Sequence, residues 1–386
     1  MKIMVVHNAY QHKGGEDSVM ESEVALLKNY GHSVEIFTRR NDDIEKMSIT
    51  RVAIQAVWSS PVAQDFEARL RAFQPEVIHV HNTFPLISPS IYWVANRLNI
   101  PVVQTLHNFR LLCPQAMFLR NAKVCEDCLG KVPWRGVMRG CYRESVSQST
   151  VLASMITLHR AMGTWQNKVT RYIALNDFCR NKFIQGGLPA DRISIKPNFV
   201  DFDAPPEGPR NGFLFVGRLS TEKGVKVLCQ AIPSLDTVSV RIAGTGPEAG
   251  ILEGINGLVA LGALDMDQVR KEMVSATALV LPSIWYENFP RALVEAYGCG
   301  LPIIASRIGA LSNLVEDGVT GLLFEPGNAK DLAEKMRWAH QNPQLMADMG
   351  RHARVKYETH FTAKRNYSQL LSIYSSAIAA TQSRLA

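Results

Sequence analysis

The sequence has little cysteine: seven residues in 386, too few for a small disulfide-stapled scaffold. Nor does it have a long apolar run. The uncharged stretch 145–158 runs into His159 and Arg160, short of the ~20 apolar residues a spanning helix requires. The first residues, Met1 to Asn8, carry only a short apolar run with no cleavage-site pattern, which reads as a buried first strand rather than an export signal. These absences predict a cytoplasmic protein with reduced thiols. Glycine (26) and proline (19) are too sparse for a collagen-like chain, and 46% hydrophobic with 20% charged residues excludes a disordered one. Recognition modules for nucleic acid and interleaved stacking aromatics are also missing, so no nucleic-acid partner is expected.

What is present is a two-domain pattern. At ~100–200 residues per domain, the length suggests two domains. Short apolar runs at 3–6, 34–37, 77–80, 102–106, 172–175 and 193–195 alternate with helix-like segments. The same alternation recurs with runs at 213–216, 238–242, 258–261, 278–281, 303–305 and 322–324. Runs apolar at nearly every position suit parallel strands buried on both faces, and strand–helix alternation implies βαβ units. The fold class is therefore α/β, with two doubly wound parallel-sheet domains. Segment 201–209, with three prolines and a glycine, reads as the linker. The domains are placed at 1–208 and 209–365, with 366–386 a terminal helix packing back on the first. Ligands of such sheets bind beyond the carboxyl ends of the strands, so the cleft between facing domains is the expected site.

Charge is uneven. Residues 1–200 hold 24 Lys and Arg against 16 Asp and Glu, whereas the remainder is nearly neutral within a net +7. Such asymmetry points to an anionic partner or to a solvated basic face.

Several motifs sit at predicted strand ends. Gly217-Arg218-Leu219-Ser220-Thr221-Glu222-Lys223-Gly224 places two cations where a diphosphate would bind. Glu287-Asn288-Phe289-Pro290 precedes a helix carrying Glu295. Pro290 suits the first helical position, and the helix N-terminus suits an anion. Gly244-Thr245-Gly246-Pro247 is not a dinucleotide fingerprint, because proline follows the second glycine. Gly14-Gly15 before a helix reads as an anion-facing loop or a plain turn. His107 ends a strand, where it is placed to donate to a phosphate or to be structural. His79 and His81 alternate onto one face.

Cys113, Cys125, Cys128 and Cys141 form C-x11-C-x2-C-x12-C within 29 residues, a spacing for a structural zinc site, with disulfides and an iron–sulfur cluster as rivals. The surrounding Arg110, Arg120, Lys123, Lys131, Arg135, Arg139 and Arg143 suit an anionic lipid or membrane surface. Two Asp-x-Asp triplets, Asp201-Phe202-Asp203 and Asp265-Met266-Asp267, are read as linker and helix cap rather than metal ligands.

Taken together, Glu-x7-Glu, Gly-Arg-Leu-x-x-Glu-Lys-Gly, Gly-x-Gly-Pro and the N-terminal Gly-Gly resemble retaining glycosyltransferases of family 4, which have the GT-B fold. The resemblance spans Met1 to about Tyr357. Cys-Pro after His-Asn-Phe-Arg, followed by Cys-Glu-x-Cys, resembles one subgroup of that family. The resemblance implies a nucleotide-sugar donor, with Arg218 and Lys223 on its diphosphate and Glu287 on the transferred sugar. It also implies Glu295 on the ribose, Gly14 and Gly15 near the diphosphate and His107 near the sugar. Asn288, Phe289 and Gly246 belong to the same implied donor site. Pro290 departs from the glycine many relatives carry there. The implied acceptor is a glycan, lipid-linked, met at the inner membrane face. Fixed cations would stand in for a catalytic metal, so no cofactor is expected beyond structural zinc. A sugar-nucleotide epimerase of the same architecture and a non-catalytic nucleotide-sugar binder are the alternatives.

Overall fold

The computed structural model describes residues 1–11, 14–204, 208–235 and 238–383. Two six-stranded, all-parallel sheets dominate it. The first contains β1 (Lys2–Ala9), β2 (Ser33–Arg40), β3 (Val77–Asn82), β4 (Val102–Thr105), β7 (Arg171–Ala174) and β8 (Ile193–Ile195), in the order β2-β1-β3-β4-β7-β8. Between β4 and β7 the chain forms a short antiparallel hairpin, β5 (Leu119–Arg120) and β6 (Lys123–Val124). The second sheet contains β9 (Phe213–Val216), β10 (Val240–Ala243), β11 (Leu258–Gly262), β12 (Ala278–Leu281), β13 (Ile303–Ser306) and β14 (Gly321–Phe324). Its order is β11-β10-β9-β12-β13-β14.

Every predicted run overlaps one of these strands, but two are not buried on both faces. β2 and β11 are edge strands, and Ile36 and Val259 are exposed. Apolar content reports strand tendency; a neighbour on each side is supplied only by the sheet order.

The chain divides into two units. One holds Met1–Phe118, Glu126–Pro197 and Asn366–Ala386; the other holds Leu119–Cys125 and Asn198–Arg365. The boundary thus falls at Pro197/Asn198, earlier than residue 208, because Tyr357 tethers the connecting chain. Its hydroxyl accepts from Phe202 N–H at 2.9 Å and donates to the Val200 carbonyl at 3.0 Å. Of the predicted linker, Pro205, Pro206 and Glu207 lie outside the described residues.

The final helix, Ala363–Gln382, buries Leu370, Ile373, Tyr374 and Ala377, one stripe at helical spacing. These residues join Ile3, Val5, Val77, Val103 and Ile173 in the core of the first unit. A fully buried Leu or Ile contributes roughly 1.5–3 kcal/mol, which anchors the terminal helix there. The second unit has its own core, built from Phe213, Val240, Val280 and Ile304 with Leu332 and Met336 of helix Ala329–Gln341.

Candidate functional site

In the second unit the predicted residues gather at the carboxyl ends of β9 and β12. After β9 comes exposed Arg218, then a 3-10 turn, Thr221–Lys223, then Gly224. Gly224 has φ +70°, and a Cβ there would lie 1.8 Å from the Pro282 carbonyl oxygen. Only glycine permits that approach. Ile284 N–H donating to the Glu222 carbonyl at 3.0 Å completes the join between the two loops.

This contact delivers Lys223 to Glu287. Lys223 Nζ donates to Glu287 Oε1 at 2.6 Å, and Ser283 Oγ donates to the same oxygen at 2.8 Å. The Glu287 side chain is 6% exposed and that of Lys223 26%, so the lysine side chain stays partly open. Trp285 lies beneath, its ring centroid 5.5 Å from Nζ. Sequence reasoning missed Ser283 and Trp285. Their signal was position: both lie in the few residues just past β12, where ligands of such sheets sit.

The Gly-x-Gly loop has a structural task. A Cβ on Gly244 would meet the Gly217 carbonyl oxygen at 1.9 Å, and one on Gly246 the Leu219 carbonyl oxygen at 2.3 Å. The loop after β10 therefore braces the turn that carries Arg218.

Helix Arg291–Gly298 follows Glu287, with Pro290 at the N-cap rather than at the first helical position expected for it. Proline's missing N–H is tolerated at either place. Glu295 accepts from Arg291 Nε at 2.8 Å. Burial pushes its carboxyl above the usual range, against the pull of Arg291. Asn288 and Phe289 are buried. The Phe289 ring packs edge-on against Phe361 at 5.8 Å. Asp265 caps helix Met266–Ser275, accepting from Gln268 N–H at 2.8 Å, as a cap rather than a metal ligand would.

In the first unit, Gly14 caps helix Gly15–Asn29, and its N–H is already taken by Asp17 Oδ2 at 2.7 Å. A Cβ on Gly15 would meet nothing within 4 Å among the described residues, so packing does not demand glycine there. Burial pushes the Asp17 carboxyl up. Hydrogen bonds from His7 (2.8 Å) and from the Gly14 and Tyr10 N–H groups outweigh it, and the net direction is down.

His107 stands just past β4 and borders a cavity of about 40 Å³ with Asn82, Phe84, Asn108 and Arg110. Its Nε2 lies 2.9 Å from His81 Nδ1, with the two ring planes 17° apart. Burial drives the His107 pKa down to about 3, so the ring is neutral. His79 and His81 share one face as expected, with ring centroids 4.3 Å apart. That face leads into a buried polar cluster with Glu23, Lys196 and Tyr374, which the sequence did not signal.

Among the four cysteines, Cys113 and Cys128 are buried and Cys125 and Cys141 half-buried. A Cβ on Gly136 would lie 3.6 Å from Cys128 Sγ, and the Gly136 carbonyl accepts from Cys141 N–H at 2.9 Å. Burial raises the Cys113 thiol to about 11, while the N–H groups of Phe118, Gln115 and Ala116 pull it back. N–H groups aimed at a sulfur favour its thiolate, the form that binds metal. Among the described residues, no three of these four sulfurs gather within 4.8 Å, so the zinc reading rests on their spacing along the chain.

Two parallel-sheet α/β domains, with ligand-suited residues at strand carboxyl ends, define the GT-B class. A solved Anabaena protein, Alr3699/HepE in complex with UDP, has the same fold: TM-score 0.69, 18% identity, covering 97% of this chain and 100% of that one. Two family models tile the sequence. Glycosyltransferase Family 4 matches residues 13–204, and Glycosyl transferases group 1 matches residues 199–356. The chain belongs among the glycosyltransferases of the family 4 type. A D-inositol 3-phosphate glycosyltransferase of Mycobacterium sp. (strain KMS) is 27% identical over 93% of this chain and 84% of its own length. A shorter match, 35% identical, covers 37% of this chain and 42% of an uncharacterized glycosyltransferase of Methanocaldococcus jannaschii.

Proposed function

We propose that the protein moves a sugar, with retention, from a nucleotide-sugar donor to a lipid-linked glycan acceptor. The observation that carries this reading is the Lys223–Glu287 pair beside Arg218. An ammonium has three donors. Lys223 can therefore keep Glu287 and still donate to a diphosphate. Arg218 adds a second cation. Together they stabilise the negative charge that builds on the departing diphosphate, where fixed charges need no reorganisation. Glu287, held by Lys223 and Ser283, accepts hydroxyl hydrogen bonds from the transferred sugar, and Glu295 from the ribose. Gly246 supplies backbone near the diphosphate, and Asn288 and Phe289 complete the donor loop. No step requires a catalytic metal.

Cys113, Cys125, Cys128 and Cys141 would hold a structural zinc ion. Its role there would be to staple a basic segment rich in Arg, Gly and Pro. The same region supports a peripheral site on an anionic membrane at the cytoplasmic face. Trp134 and Met138 are 59% and 73% exposed, and Lys131, Arg135 and Arg139 lie beside them in sequence. Among the described residues, no helix is long and apolar enough to cross a membrane. No nucleic-acid partner is expected.

The test is a thermal-shift screen of nucleotide sugars, followed by NMR of the best binder with and without membrane extract. UDP-glucose is the first candidate, because the Anabaena neighbour was solved with it. Transfer with an unchanged anomeric configuration supports the proposal. Inversion overturns retention, and donor interconversion without an acceptor supports the epimerase instead. Binding without turnover points to the non-catalytic binder.

A further inference from the structure

Beneath His107 lies a chain of buried polar groups. Glu23, on helix Gly15–Asn29, is 1% exposed, and its Oε1 accepts from Lys196 Nζ at 2.5 Å. Lys196 is fully buried and also donates to Asn366 Oδ1 at 3.4 Å. Glu23 Oε2 has no hydrogen-bond partner. Neither has His81 Nε2, which faces it at 3.6 Å. On its other side, His81 Nδ1 meets His107 Nε2 at 2.9 Å. The β1–β3 register slips between Val6 and His7, leaving His81 as the extra residue of β3. Such bulges re-aim a side chain.

The neighbours do not compete for this line. His79 spends Nδ1 on the Tyr374 hydroxyl and Nε2 on Thr105 Oγ1, both at 2.8 Å. His7 Nε2 is paired with Asp17. Lys196 already supplies the positive charge Glu23 needs, so a metal ion at Glu23, His79 and His81 would sit beside a buried ammonium.

A neutral imidazole carries one N–H, and the 2.9 Å contact alone leaves its direction open. The carboxylate decides. A lone pair on His81 Nε2 would face a negative oxygen at 3.6 Å, whereas an N–H there turns its positive end toward the carboxylate. His81 is then protonated on Nε2 and accepts at Nδ1. His107 must donate from Nε2, which leaves its Nδ1 as a lone pair.

We propose that Glu23, acting through His81, is a positioning residue that holds His107 in the Nε2–H tautomer, so that Nδ1 accepts a hydrogen bond from a ligand hydroxyl instead of donating one to a phosphate. The hydroxyl's assignment to a sugar rests on the transfer reading; the tautomer does not.

Glu23→Gln tests the chain. Lys196 needs an oxygen, so the amide turns its NH2 toward His81, and every bond in the line reverses. Histidine side-chain 15N spectra, assigned with His107→Asn, should show Nε2–H on His107 in the wild type and Nδ1–H in the variant. A wild-type His107 protonated on Nδ1 overturns the proposal, and that spectrum decides it even where the variant does not fold. The same tautomer in both folded proteins also overturns it.

With the nucleotide sugar found by screening, Glu23→Gln should lower kcat about tenfold, the scale of one hydrogen bond, and leave donor KM within about twofold. Tyr374→Phe touches the same cluster through His79 and should leave kcat within about twofold. An unchanged kcat in a variant with reversed tautomers overturns the positioning role. A wild type with the expected tautomer but no turnover on any nucleotide sugar refutes the transfer reading and leaves the tautomer standing.

Discussion

Gly224→Ala separates backbone strain from steric exclusion at the turn that aims Lys223. Two costs add. An alanine held at φ +70° pays the left-handed penalty, about 1–2 kcal/mol. Its Cβ would also sit 1.8 Å from the Pro282 carbonyl oxygen, a backbone atom tied into the β12 loop that has little room to yield. Overpacking of that kind costs about 1–3 kcal/mol more. Gly254 supplies the control, with φ +72° and nothing within 4 Å of a Cβ among the described residues. Gly254→Ala therefore carries the dihedral cost alone. For a unit of this size, where 1 kcal/mol moves Tm by about 2–4 °C, the control should lose about 2–8 °C and Gly224→Ala about 4–20 °C. Calorimetry of the full chain reads both. Donor affinity should fall only for Gly224→Ala, because only that change pushes the Lys223 turn away from Glu287. Equal Tm losses for the two variants would refute the steric argument. Unaltered donor binding in a clearly destabilised Gly224→Ala would refute the link to Lys223.

Lys223→Ala should lower donor kcat/KM by about 100-fold, the scale of a lost charge-stabilising donor, and Glu295→Ala by about 10–100-fold, the scale of lost hydrogen bonds to a carboxylate, with the circular dichroism spectrum intact; a full transfer rate in either variant removes that residue from the site. Acid should destabilise the first unit through its histidines. Burial holds His107 from the ordinary 6.5 down to about 3, with His79 and His81 also lowered, so the unfolded chain takes up protons that the folded one refuses. This contribution is complete above pH ~6.5 and is lost progressively as pH falls toward 3, and His107→Asn should flatten the decline of Tm between pH 7 and 5. Elemental analysis should find one zinc per chain, chelation should lower Tm, and Cys128→Ser should abolish both effects; protein free of zinc and iron counts against the site.

Much of the fold is legible in the sequence because parallel strands write themselves as short, unbroken apolar runs. The runs 213–216 and 278–281 coincide with β9 and β12. Edge positions are not legible, since Val34 and Val259 look like any other strand residue until the sheet order is known. Of the candidate site, Arg218, Lys223, Glu287 and Glu295 announce themselves by their place after apolar runs. Ser283, Trp285 and Glu23 do not. A serine beside a strand end is commonplace, and Glu23 lies mid-helix among Ser22, Glu21 and Val24, with nothing to mark it as buried.

The sequence by itself determined the two-domain α/β plan, the cations at the end of β9 and the cysteine spacing, because each depends on residues close along the chain. Only the tertiary structure decided which charges meet. Glu23 pairs with Lys196 across 173 residues, Lys223 with Glu287 across 64, and Tyr374 with His79 across 295. Such pairs form only after several strands have been laid side by side, and no local pattern of apolar and polar residues encodes a partner that far away.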